Sequence, residues 1–330
     1  MQYCVLGQTG IHVSRIAFGC GPVSGWMEEL GPDDQCLMIR HAIDVGINWF
    51  DTAPGYGNGK SEASLGAALE RLGRPAGIHI ATKVRYLNEH LSDIRKHTRA
   101  SAVASLKRLG TDQIALLQLH NSITVSRDDE PTSITTRDVL GKDGVLEAFR
   151  DLQADGIVQH IGLTGMGHPT ALREVVSSGA FATIQVPYNL LNPSAGQIMP
   201  EGFAETNYGN IIAECAEQRM GVFAIRIFAG GALLGNPPSA HTLKTSFFPL
   251  ALYERDCSRA THLTALLPPG LSLHAAAIQF TFAHPHISAA ITGFRTPLEV
   301  DAAVAALASP FSIENVMAAA LMAYPSLKQK

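Results

Sequence analysis

From about residue 16 to residue 307, short apolar runs alternate with amphipathic segments. The runs fall at 16–20, 49–53, 78–83, 114–120, 160–165, 183–188, 222–228 and 289–293, and each is apolar on both faces. Runs of that length, rich in β-branched residues, predict strands buried on both sides. Between them, apolar residues recur at helical spacing over 33–45, 61–72, 92–109, 144–155, 170–177, 210–219, 272–283 and 297–307. Strands of this kind, each followed by a helix, predict a parallel sheet covered by helices. Eight such units in succession fit a closed (β/α)₈ TIM barrel better than an open doubly wound sheet. An open sheet would normally carry a glycine-rich dinucleotide turn after its first strand. Gly19-Cys20-Gly21-Pro22 lacks that spacing, and Pro22 blocks an immediate helix. No linker-like tract or charge block divides the chain, so residues 1–330 read as a single domain.

Ahead of the first unit, residues 3–6 and 12–14 flank Gly7-Gln8-Thr9-Gly10, a pattern for an N-terminal β-hairpin plugging one barrel end. Two connections, 121–143 and 229–271, are too long for ordinary turns. Both follow strands, so in a barrel they rise as long loops at the C-terminal face, where active sites form. Phe247, Phe248 and Tyr253 are available there to wall a pocket. A surface excursion packed by its own aromatics explains them equally well.

Composition narrows the class. Apolar residues make up 46% and charged residues 16%, enough for a deep core and too little charge for disorder. A net charge of −4 without a basic stripe argues against nucleic acid as a partner. The stretch 300–324, interrupted by Pro310 and Glu314, is too broken for a membrane span. Five cysteines without close pairing fit reduced thiols better than a disulfide framework. With no signal-peptide pattern at the start, a cytoplasmic protein is expected.

The chemistry lies at the strand ends. Asp51 falls near the end of the second predicted strand, Lys83 and His120 close the third and fourth, and Tyr56 follows Asp51 in its loop. Taken singly, each has a plain structural reading: a turn cap, a solvated strand end, a loop aromatic, a rim histidine. In a barrel, however, consecutive strand ends converge on one mouth. Carbonyl reduction needs a proton for the developing alkoxide, and a phenol is a poor acid at neutral pH. An adjacent ammonium favours the phenolate and lowers that pKa. Lys83 could tune Tyr56 in this way while Asp51 holds Lys83 charged, and a neutral His120 could orient the carbonyl. No metal motif appears; His284-Pro285-His286 reads as a helix end.

The segment Asp51-Thr52-Ala53-Pro54-Gly55-Tyr56-Gly57-Asn58-Gly59-Lys60-Ser61-Glu62, followed by Leu65-Gly66, resembles the signature of the aldo-keto reductase superfamily. So do Ile80-Ala81-Thr82-Lys83, Leu117-Gln118-Leu119-His120 and Ile161-Gly162-Leu163-Thr164-Gly165, in order along the chain. The resemblance implies that Asp51, Tyr56, Lys83 and His120 form the family's catalytic tetrad. It implies a nicotinamide cofactor, with NADP as the family default and NAD or dual use open. Gln185 falls where the family's glutamine meets the nicotinamide carboxamide, while Thr164-Gly165 stands where Ser-Asn is commoner. Arg226, with Phe228 nearby, replaces the aromatic that usually stacks on nicotinamide. The segment from Ala229 through Gly230 to Leu233 resembles the pyrophosphate loop. Gly293, Arg295 and Glu299 match the adenosine end, Arg295 attracting a 2′-phosphate and Glu299 repelling it. Trp26, Tyr86 and the long loops are the expected substrate walls.

The activity so implied is reversible hydride transfer between NAD(P)H and a small-molecule aldehyde, ketone or sugar. Two rivals are a cofactor-binding regulatory or sensor barrel with little turnover and a Schiff-base aldolase using Lys83.

Overall fold

The computed structural model describes residues 1–26, 30–203, 205–245 and 249–308. Phe247, Phe248 and the chain past 308, including much of the interrupted apolar stretch, lie outside the described residues. Eight parallel strands close into a barrel in the order β10-β11-β12-β3-β4-β5-β6-β9. They are β3 (Ile16–Gly19), β4 (Trp49–Asp51), β5 (His79–Val84), β6 (Ile114–Leu119), β9 (Val158–Thr164), β10 (Thr183–Pro187), β11 (Gly221–Ile225) and β12 (Ile287–Thr292). The expected TIM barrel is therefore the fold.

An antiparallel pair, β1 (Tyr3–Val5) and β2 (His12–Ser14), precedes it. Leu6 and Val13 of this hairpin join Trp49, Leu116, Phe223 and Ala289 in a cluster that fills the barrel interior. Trp49 and Phe223 meet across the lumen at 5.0 Å between ring centroids. Gly7, at φ +51°, sits against the start of β11, where a Cβ would lie 2.2 Å from the Gly221 nitrogen. The hairpin thus seals the end opposite the strand C-termini.

A second, larger core packs the outer strand faces against the helices. Helix starts follow local chemistry: Asp93, Ser272 and Thr296 cap exposed backbone N–H groups, and Pro32, Pro169 and Pro297 occupy first turns. Glu62, fully buried in the helix Lys60–Arg71, accepts from Thr82 Oγ1 at 2.5 Å and from Arg108 Nε at 2.7 Å. That carboxylate ties the helix to β5 and to the neighbouring helix Ile94–Leu109.

Both long connections carry structure. Residues 121–143 hold the short parallel strands β7 (Ile123–Thr124) and β8 (Ile134–Thr135) and a turn of helix, Thr136–Leu140, with a capping box. The other is not a loop excursion throughout: it contains the 17-residue helix Leu250–Leu266. Only Tyr253, Asp256, Ala260 and Leu263 of that helix are buried, a stripe too narrow and too polar to register as amphipathic in sequence. Among the described residues, no helix is long and apolar enough to cross a membrane. All five cysteines are free.

Gly66 marks where two helices touch: a Cβ there would lie 2.6 Å from the Arg108 carbonyl oxygen and 2.7 Å from that of Leu109. Gly66→Ala is expected to cost about 1–3 kcal/mol through overpacking. The midpoint of denaturant unfolding reads this directly, and an unchanged midpoint would mean that the helices have room to part.

Candidate active site

Asp51 is the last residue of β4, and Lys83 stands one residue before the end of β5, so both side chains enter the barrel mouth from neighbouring strands. Lys83 Nζ donates to Asp51 Oδ1 at 2.5 Å and to the Thr52 carbonyl at 2.8 Å. The second carboxylate oxygen of Asp51 accepts from Gln185 Nε2 at 2.6 Å and from Gln118 Nε2 at 3.0 Å. One buried carboxylate therefore gathers side chains from β5, β6 and β10. Charge-assisted hydrogen bonds of this kind offset part of the cost of burying the ions.

Tyr56 rides on the turn after β4. The Thr52 and Ser61 hydroxyls meet at 2.7 Å, Ser61 also donates to the Cys20 carbonyl, and Gly57, Asn58 and Gly59 all have positive φ. This folds the loop back so that the phenol ring lies 4.9 Å from Lys83 Nζ. His120, just past β6, meets the ring edge-on with centroids 5.7 Å apart. The structure brings the four residues together.

Their protonation follows from burial and from one another. Burial alone would lower the Lys83 pKa, but the Asp51 carboxylate and the Tyr56 phenol hold it above the ordinary lysine value. His120 is held well below the usual imidazole range by burial and by the Lys83 and Arg85 cations, so the ring is neutral. Tyr56 differs from the simple expectation: burial raises its pKa more than the ammonium lowers it, and the net direction is upward. The ammonium moderates a phenol that burial would otherwise leave more weakly acidic still.

Two cavities of about 830 and 250 Å³ meet at this group, sharing Tyr56, Gln185, Ile225, Arg226 and Gly230 in their walls. The smaller one runs on to Gly293, Arg295 and Glu299 beyond β12. Its wall includes Gly230 and Gly231, at φ +72° and +104°, conformations open to glycine and strained for other residues. Phe228 stacks on His274 there, with centroids 4.9 Å apart and planes inclined by 20°. Arg226, itself at φ +55°, is drawn down by burial to a pKa of about 10 and stays cationic at neutral pH. A glycine-rich wall, a cation and a stacked aromatic pair supply the kinds of group that hold a nucleotide cofactor.

Other expected residues stand differently. Gln185 donates its amide to Asp51, and Thr164 donates to the Leu119 carbonyl at 3.1 Å while facing the larger cavity. Leu233 is buried in the core. Arg295 donates through Nε to the Ser24 carbonyl at 2.9 Å, and the Glu299 carboxylate accepts from the Arg295 backbone N–H at 2.6 Å. The two aromatics expected as substrate walls are outside both cavity linings. Trp26 packs edge-on against Phe18, and Tyr86 is buried with its hydroxyl 2.6 Å from Thr98 Oγ1. Each is held by a neighbouring aromatic or hydroxyl that the chain brings up from elsewhere. Sequence reasoning gave no role to Gln118, Arg85 or His274. Gln118 carried a readable signal, a polar residue inside an apolar strand; the other two did not.

The sequence and the fold have relatives. The model of the Aldo/keto reductase family matches residues 15–320. D-threo-aldose 1-dehydrogenase from Pseudomonas sp is 27% identical over 332 aligned positions, covering 91% of this chain and 92% of that protein. L-galactose dehydrogenase from Arabidopsis thaliana is 33% identical over a shorter stretch, 49% of this chain and 47% of its own length. Aldo-keto reductase YhdN from Bacillus subtilis is 32% identical over 58% of this chain and 54% of its own length, so these last two matches span about half of each relative. An aldo-keto reductase from Bacillus halodurans, solved in its holo form, superposes with a TM-score of 0.70 at 24% identity, covering 97% of this chain and 96% of that one, and supports the fold. The chain belongs to the aldo/keto reductase family, oxidoreductases that use nicotinamide cofactors and act on small-molecule carbonyl or sugar substrates.

Proposed function

We propose that this barrel catalyses reversible hydride transfer between a nicotinamide cofactor and the carbonyl or alcohol of an aldehyde, ketone or sugar. One observation carries the reading: a buried Lys83 ammonium lies between the Asp51 carboxylate and the Tyr56 ring, with a neutral His120 against that ring. A cofactor held along the smaller cavity by Arg226, the Gly230–Gly231 backbone and the Phe228–His274 pair would supply or accept the hydride. In reduction, Tyr56 gives its proton to the developing alkoxide, and the ammonium at its face stabilises the phenolate left behind. His120 donates a hydrogen bond that fixes the carbonyl oxygen. In oxidation the phenolate is the base. The names of D-threo-aldose 1-dehydrogenase and L-galactose dehydrogenase support a sugar as the substrate class. The free cysteines support a reducing, cytoplasmic setting.

Lys83 is poorly suited to Schiff-base chemistry. A nucleophilic lysine needs its proton removed, and Asp51 keeps this one charged.

For the cofactor, Glu299 supports NADH over the family default NADPH. Its carboxylate accepts the Arg295 N–H just ahead of helix Pro297–Ala306 and places a negative charge in the first turn, adverse to an added 2′-phosphate.

Three outcomes follow from these roles. Tyr56→Phe is expected to lower turnover at least about a hundredfold in both directions while leaving cofactor affinity, read by fluorescence titration, within about twofold. Retention of full rate would refute the acid–base assignment. Lys83→Met removes the charge that pulls the phenol pKa down, so the rising limb of alcohol oxidation against pH moves to higher pH. The acid side stays flat through neutrality, because His120 is already neutral there; an unmoved alkaline limb would remove the tuning role. Glu299→Gln is expected to shift the NADPH-to-NADH affinity ratio roughly tenfold toward NADPH, measured by paired titrations. An unchanged ratio would detach Glu299 from cofactor choice.

A further inference from the structure

The two cavities differ in charge. The smaller has Asp51 and Glu299 in its wall beside Arg226 and Arg295, so both signs are present. The charged side chains among the described residues lining the larger one are Arg85, Arg226 and Lys244, with no Asp or Glu, in a chain whose net charge is −4. Histidines 97, 120 and 241 line it as well.

Of the three cations, Arg85 lies two residues past Lys83, beside the proposed proton donor. Its influence reaches both reactive rings: the Tyr56 phenol raises the Arg85 pKa against desolvation, and Arg85 helps hold His120 neutral. Its position is built rather than incidental. Thr132 Oγ1 accepts from Arg85 Nε at 3.0 Å and from Nη2 at 2.7 Å. Thr132 does so from φ +61°, a conformation that costs a β-branched residue free energy and persists only where surroundings impose it. Asn121 imposes it, donating to the Thr132 carbonyl at 2.6 Å and to the Tyr86 carbonyl at 2.7 Å. His97 meets the Arg85 carbonyl at 2.9 Å, fixing the backbone from the other side. A strained loop residue and two polar clamps thus hold one guanidinium at the wall of the larger cavity, next to the catalytic group.

We infer that Arg85 is a specificity-determining residue for a carbonyl substrate that carries an anionic group, a carboxylate or a phosphate, a few carbons from the reacting carbon. This rests on the proposed hydride-transfer function and narrows its substrate class. Apolar wall residues such as Pro54, Val23 and Met166 suit the intervening carbons, while a guanidinium's charge suits either anion.

The test compares butanal, 4-oxobutanoate and 4-oxobutyl phosphate as substrates at fixed ionic strength, and butanoate and butyl phosphate as non-reacting ligands by calorimetry. For the native protein, kcat/KM for at least one anionic aldehyde is expected to exceed that for butanal by roughly tenfold or more. The gain should lie mainly in KM and shrink as salt is added. Whichever anion wins distinguishes carboxylate from phosphate. In Arg85→Gln the anion-to-butanal ratio should fall at least fivefold, and Arg85→Lys should restore part of it, a pattern that general damage to the fold does not produce. Butanal used as well as both anions, a ratio unmoved by Arg85→Gln, or a native preference indifferent to salt would overturn the inference. Calorimetry separates the two layers. Anion binding that depends on Arg85 without turnover of any aldehyde would refute hydride transfer alone. Turnover of butanal without anion binding would refute the anionic substrate alone.

Discussion

A buried ion pair at the barrel mouth, Asp51 with Lys83, is the constraint on which the rest of the site depends. Both side chains are almost wholly removed from solvent, at 5% and 1% exposure. Taking two such ions out of water costs several kcal/mol each, and their attraction repays this only with good geometry and further hydrogen bonds. The further bonds are present: Thr52 contributes a carbonyl to Lys83, and Gln118 and Gln185 contribute amides to Asp51. The pair therefore specifies where β4, β5, β6 and β10 end relative to one another. In return the barrel holds a fixed ammonium 4.9 Å from a phenol ring. A hydrophobic substitute of similar volume could pack there, but it could not stabilise a phenolate.

The same burial explains why Tyr56 is not simply acidified. Desolvation penalises every charged form in the pocket, so the phenol rises and the imidazole falls before any partner is counted. The ammonium then acts differently on each neighbour. It draws the phenol back toward ionisation and drives His120 further into its neutral form. One cation thus separates the two rings into a tunable acid and a constant hydrogen-bond donor. Arg85, in the wall of the larger cavity, reinforces the second effect.

Much of this was legible in the sequence because it depends on periodicity and on strand ends. Eight apolar runs followed by helical patterns leave few architectures, and Asp51, Lys83 and His120 could be brought together from topology alone. What escaped depends on side-chain direction. Trp26 and Tyr86 looked like mouth aromatics by position, yet Phe18 and Thr98 draw them inward. The helix Leu250–Leu266 buries too narrow a stripe to stand out from a loop. Arg85 drew no reading, because its partner Thr132 is 47 positions away in a loop whose path no local pattern specifies. Glu299 was read as an adverse charge for a 2′-phosphate, but not as the acceptor of the Arg295 N–H just ahead of its own helix.

That last contact divides the labour between the two cavities. At one end of the smaller one, the Glu299 carboxylate accepts the Arg295 N–H ahead of its helix. At its near end, Gly230 and Gly231 hold left-handed conformations that keep side chains out of the wall and leave backbone close to whatever lies there. The larger cavity shares Gly230 and Arg226 with it and adds Arg85 and Lys244, cations carried on loops. Loop-borne cations can be exchanged without disturbing the barrel, whereas the Asp51 cluster cannot, since its members belong to the strands themselves. The ion pair is therefore written into the sheet, while Tyr56, His120 and the cations of the larger cavity stand on the loops that the sheet supports.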